Sequence, residues 1–217
     1  MANSYGNIYA LTAFCPLRPK GDGAESPAAV IRNALNHEPS DHHGAMAKVP
    51  NTYFCRFLVL DDVVYQGKPA VYEHLQSNYL VFVATVYGDL EPYLRGMWLS
   101  ATPFVREIWK FCIGFDRVHD EHTFARYIQQ CQVNTDLFFN GTIDPGTSNQ
   151  SLAEQLKGLY VQQEFARFVC EHQGVPAREL QEAFQKFVAR VRPDDLSGPT
   201  WRAGASTLDD AFVGTDR

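Results

Sequence analysis

Two runs constrain this chain more than anything else in it: Tyr53-Phe-Cys-Arg-Phe-Leu-Val-Leu-Asp-Asp-Val-Val-Tyr65 and Tyr79-Leu-Val-Phe-Val-Ala-Thr-Val-Tyr87. Both are rich in aromatic and β-branched residues and so predict strands. Apolar residues do not alternate with polar ones in either run. Both faces of each strand must therefore be covered. Helices can cover one face. The other needs a second sheet from a partner copy or extra helices from the same chain.

The remaining elements fit around this pair. The polar stretch Gln66 to Asn78 joins the two strands as an antiparallel pair, and Ile8 to Cys15 forms a further strand ended by Pro16. Ser26-Pro27 supplies an N-cap and a proline at the first helical position. The helix it opens carries Val30, Ile31, Ala34 and Leu35 and stops at Pro39. Gly88-Asp89 caps a second helix, and Thr102-Pro103 restarts it until Gly114. Asp120 caps a third short helix, and Asn134 to Gly141 holds Leu137-Phe138-Phe139, read as the last strand. Ser151-Leu-Ala-Glu154 is a capping box opening a long helix, and Pro176 starts the final one.

The order β-α-β-β-α-β is the split βαβ pattern. It predicts an α+β fold: a ferredoxin-like βαββαβ core with an antiparallel sheet, and extra helices after the second crossover and at the C-terminus. Residues 1–192 are expected to form one domain. Residues 193–217 are expected to form a polar tail, ordered only where Trp201 or Phe212 docks.

Composition narrows the function classes. The 217 residues carry a net charge of −6, and the densest basic stretch, Arg178 to Arg192, is diluted by Glu179 and Glu182. A duplex binder needs a basic stripe to displace counterions, so no nucleic-acid partner is expected, nor an anionic membrane surface. The N-terminus lacks a basic n-region and a long apolar stretch, so no signal peptide is expected. Five cysteines without a CxxC suit a reduced, cytoplasmic setting. GxSxG, P-loop, GxGxxG and HExxH motifs are missing, which argues against hydrolase, NTPase, Rossmann and zinc-protease chemistry.

A few residues are hard to explain by packing alone. Arg56 lies inside an apolar strand and shares a face with Phe54, Leu58 and Leu60. A guanidinium there needs either an internal carboxylate, such as Asp62 or Asp89, or an anionic substrate group. Asp61 and Asp62 point to opposite faces, so they do not form a dyad. Asp61, His122 and Tyr127 are the candidates for proton transfer beside Arg56. Tyr53, Phe82, Tyr87 and Trp109 are the candidates for lining an apolar substrate pocket over the sheet. His119 and His122, with Asp120 and Glu121 between them, are the densest set of potential metal ligands, yet no metal is expected. His42-His43 sits in a polar loop, where a metal would need a carboxylate from elsewhere. His172 ends an amphipathic helix beside Gly174, where a cation complements the helix dipole.

The strand order and the phrases Tyr53 to Asp62, Phe82-Val-Ala-Thr-Val-Tyr-Gly-Asp89 and Phe111-Cys-Ile-Gly114 resemble the dimeric α/β-barrel superfamily. Within it they look like a bacterial branch whose strand reads aromatic-x-Arg-aromatic and ends in Asp-Asp. The resemblance spans residues 7–145. It implies a homodimer and a small-molecule ligand. It also implies one of three activities: a cofactor-free tailoring enzyme performing proton transfer, cyclisation or oxygenation, a non-catalytic ligand-binding or accessory subunit, or a haem protein. No haem-ligand motif of those families is present, so the cofactor is left open.

Overall fold

The computed structural model describes residues 3–21, 25–69, 72–138 and 150–201. Contacts divide the chain into two compact units, residues 1–149 and 150–217.

The first unit is α+β. Its elements are β1 (Ser4–Tyr5), β2 (Ile8–Pro16), α1 (Pro27–His37), β3 (Thr52–Leu60), β4 (Tyr79–Tyr87), α2 (Leu90–Trp109) and α3 (Glu121–Cys131). The four strands form an open antiparallel sheet in the order β1-β2-β4-β3. Ser26 caps α1 by accepting from the Ala29 N–H, with Pro27 in the first turn. The two helical signals at Asp89 and Pro103 merge into one helix kinked at Ala101, because Pro103 cannot donate to the preceding turn. Asp120 and Thr123 form a reciprocal capping box on α3.

Register and the two-residue pleat sort the side chains. Leu11, Ala13 and Cys15 of β2 stand opposite Ala84, Phe82 and Leu80 of β4, and Cys55, Phe57 and Val59 of β3 share this face. Together with α1, α2 and α3 these residues build the main core. Its centre is aromatic. Phe57 stacks on Phe82 at 4.8 Å between centroids, Trp109 meets both edge-on at 5.7 and 5.6 Å, and Phe124 closes on Trp109 at 5.7 Å.

The opposite face carries Ala10, Thr12 and Phe14, then Val81, Val83 and Thr85, then Phe54, Arg56 and Leu58. Val81 and Thr85 on the central strand are buried, whereas Phe54, Arg56 and Leu58 on the β3 edge are exposed, Phe54 at 59%. The expected cover over both faces is thus missing along this edge among the described residues.

Two further expectations need correction. The strand anticipated through Tyr65 ends at Leu60, and Val64 and Tyr65 are exposed. Asp62 stops it by accepting from the Val63 and Leu75 N–H groups and from His74. The strand anticipated over 134–141 does not form over its described part, residues 134–138, where Leu137 is exposed. Two isolated antiparallel bridges, Ala13 to Gln132 and Leu17 to Cys112, lie along that side, with the short β1 also paired to β2.

The second unit contains α4 (Leu152–Glu171) and α5 (Ala177–Val191). Ser151 and Glu154 form the anticipated capping box. Phe168, Phe187 and Val191 make its small core. Two buried charges are both satisfied. Lys157 donates to the Val191 and Pro199 carbonyls at 2.7 and 2.8 Å, and Glu164 is held by Arg190 and Arg167. Lys157 thereby ties residues 191–199 to α4, and the Trp201 N–H donates to the Leu156 carbonyl. Phe212, the other expected docking residue, lies outside the described residues. No described helix is long and apolar enough to cross a membrane.

Candidate functional site

The residues selected from the sequence do not converge. Arg56 projects from the middle of β3 on the face away from the helices and is exposed. Neither carboxylate expected to pair with it does so. Asp62 binds His74 at 2.7 Å, and Asp89 precedes α2 without a side-chain cap bond. Asp61 is engaged by Arg32 of α1, which also donates to the Val59 carbonyl.

Tyr127 sits on the helix side of the sheet. Its hydroxyl donates to the Ile113 carbonyl at 3.2 Å, and its ring packs on Phe115. Burial, reinforced by the neighbouring thiols of Cys15, Cys112 and Cys131, holds the phenol far above its ordinary range, so it stays protonated. His122 is exposed at the start of α3, 3.8 Å from Glu121, and His119 lies 3.6 Å from Asp120. Asp120 Oδ1 caps α3, and among the described residues this cluster does not bring three ligand atoms within 4.8 Å of one another.

The aromatic candidates divide. Phe82 and Trp109 are fully buried and packed ring against ring. Trp109 also donates to the Cys15 sulfur at 3.3 Å. Tyr53 and Tyr87 are half-buried on β3 and β4. Phe82 and Trp109 thus pack into the core on the helix side of the sheet.

Two groupings were hidden in the sequence. The first is a thiol cluster. Cys15 lies beside Cys112 and Cys131, and its thiol is pushed up to about 12, first by the neighbouring Cys112 thiol. These cysteines are far apart in sequence, and only the fold unites them.

The second is a groove of about 510 Å³ between α4 and α5, lined by Phe165, Phe168, Val169, His172, Leu180 and Phe184, with Gln173, Ala177 and Gln181 beside them. Its walls are almost wholly apolar. Phe165, Val169, Leu180 and Phe184 are all partly open to solvent. His172 stacks on Phe168 at 4.2 Å, and its Nδ1 lies 2.8 Å from the Phe168 carbonyl. Nδ1 is therefore the protonated nitrogen, which leaves the Nε2 lone pair unused by this bond. The available signal was the number of large apolar residues on two successive helices, more than a two-helix unit can bury.

No protein-family model matches the chain, and no curated protein or solved structure matches it. The resemblance to the dimeric α/β barrels therefore rests on residue patterns alone.

Proposed function

We propose that this protein is a non-catalytic binding module that takes up an apolar, ring-containing small molecule between α4 and α5. One observation carries this reading: a groove of about 510 Å³ walled by phenylalanines and aliphatic side chains, with a single imidazole among them. Ligand pockets for small molecules run from roughly 300 to 1,000 Å³ and pair apolar walls with few polar groups.

The test is titration of the full chain with anilinonaphthalene sulfonate, with circular dichroism confirming that the protein stays folded. Saturable binding to one site is expected. It should vanish in Leu180→Glu and persist in Phe54→Ser. Binding that ignores Leu180→Glu refutes the proposal.

His172 favours a second reading, a haem protein, because an imidazole with Nδ1 bonded to a backbone carbonyl is oriented to ligate through Nε2. Haem added to the purified chain should then give a Soret shift that His172→Ala removes. An unchanged spectrum ends that reading.

We further infer a ferredoxin-like topology for the sheet. In support, β2, α1, β3, β4 and α2 follow the split βαβ order, and β1 with the Ala13–Gln132 bridge occupies the edge where the last strand would pair. The apolar β3 edge, with Phe54 and Leu58 exposed, supports a homodimer built through this face. Such a dimer would also enclose Arg56, the condition under which a tailoring enzyme using Arg56 is a workable reading. Sedimentation of Phe54→Glu/Leu58→Glu against the parent protein tests the dimer. A species unchanged by the substitutions refutes it.

A further inference from the structure

The loop between α1 and β3 brings together three side chains adjacent in sequence. Asp41, His42 and His43 each offer one ligand atom, and these atoms lie within 4.8 Å of one another. Two adjacent histidines in an unconstrained loop would point apart. Here the imidazole centroids are 3.9 Å apart with planes tilted by 40°.

The backbone enforces the arrangement. The Gly44 N–H donates to the Asp41 carbonyl at 3.1 Å, closing a turn around the two histidines. The His43 N–H donates to Asp41 Oδ1 at 2.8 Å, which leaves Oδ2 outside this bond. Glu38 accepts from the Ala45 N–H and clamps the far side of the turn. Gly44 is required sterically, because a Cβ there would stand 2.2 Å from the Pro39 carbonyl oxygen.

A second observation points to a missing partner. Nδ1 of His42 is buried and has no hydrogen-bond partner among the described residues. Buried polar nitrogens are rarely left unsatisfied, and a bound ion is one of the groups that satisfies them.

We propose that Asp41, His42 and His43 form a binding site for one divalent transition-metal ion of the zinc class. Two imidazoles and one carboxylate are a recognised donor set for such ions, and three protein ligands leave further coordination positions for water or a small ligand. The carboxylate comes from the residue next to the histidines. Aligned with them by the turn, it supplies what the His-His pair lacks on its own.

The experiment uses the full chain, stripped with a chelator and held in a non-thiol reductant, and titrates Zn²⁺ alone by calorimetry. Co²⁺ absorbance gives the ligand field independently. One ion per chain is expected. His42→Ala, His43→Ala and Asp41→Asn should each weaken binding by about tenfold or more, on the scale of 10- to 100-fold losses seen when metal-site groups are removed. Gly44→Ala should weaken it too without removing a ligand, because the turn cannot close. The double variant His119→Ala/His122→Ala should bind as the parent does. Circular dichroism checks the fold of each variant, and these loop residues lie outside the core. Three results would overturn the proposal: no saturable binding, binding retained in His42→Ala/His43→Ala, or binding lost in the His119/His122 variant.

Discussion

Replacing Phe82 with alanine separates a packed core from a ligand pocket at the centre of the sheet. Phe82 is on the central strand, fully buried, stacked on Phe57 at 4.8 Å and edge-on to Trp109 at 5.6 Å. Removing the ring forfeits the transfer free energy of a buried phenylalanine, about 1.5–3 kcal/mol. It also forfeits aromatic pair contacts of about 0.5–1.5 kcal/mol each. The neighbours cannot collapse freely, because Trp109 is held by its bond to Cys15 and Phe57 by its own strand. A cavity term therefore adds, and the expected loss is about 4 kcal/mol, within the range of 3–5 for such truncations. Urea unfolding followed by tryptophan fluorescence measures it, since Trp98 and Trp109 both report on this core. The midpoint should fall sharply with little change in slope. A loss below about 1 kcal/mol would mean that the ring faces space rather than protein, and the filled-core reading would be refuted.

Three further outcomes are expected. The bond from His74, with backbone donors from Leu75 and Val63, lowers the Asp62 carboxyl to about 2, below the roughly 3.9 of a free aspartate. Asp62 thus favours the fold above the free-aspartate range, and that contribution fades as pH falls toward about 2. Asp62→Asn should flatten stability against pH across that acid window, and an unchanged profile refutes the assignment. Thiol labelling of the native protein should modify exposed Cys170 first. Cys15, buried and pushed up to about 12, should react only on unfolding, with half-buried Cys55, raised to about 11, slower than Cys170, and early labelling of Cys15 would contradict the buried arrangement. Lys157→Met leaves the Val191 and Pro199 carbonyls without their donor and should cost about 2 kcal/mol in urea unfolding read by helical circular dichroism. A cost under about 0.5 kcal/mol refutes that anchor.

Local signals in the sequence were read well where the physics is local. Ser26, Asp120 and Ser151 each cap the helix assigned to them, because a cap depends on residues three apart. Pro103 marked the α2 kink, although it bends that helix rather than dividing it. The two apolar strands pair as antiparallel neighbours, and the first ends sooner than its apolar run implies, because Asp62 captures the backbone at Val63 and Leu75. The site was far less legible. Arg56 was assigned a buried role because its strand neighbours are apolar, but β3 is an edge strand, and strand order is not written in local periodicity. The sequence offers Tyr127 for proton transfer beside Arg56, yet its phenol packs near cysteines from β2 and the segment after α2, a long-range meeting that no spacing rule anticipates.

The same distinction explains why chemistry and apolar surface separate in this molecule. Within the first unit Phe82 and Trp109, two of the aromatic residues expected to line a pocket, pack instead between sheet and helices. The ionisable groups selected from the sequence are spread over a sheet edge, a loop and two ends of α-helices. In the second unit the balance is reversed. Two helices bury only Phe168, Phe187 and Val191 as their core, while Phe165, Val169, Leu180 and Phe184 stay partly exposed around one groove. Exposed apolar surface of this extent costs solubility and persists in proteins chiefly where something docks on it. Among the described residues this groove sets His172 beside its apolar walls. The binding role proposed for the second unit rests on this surface.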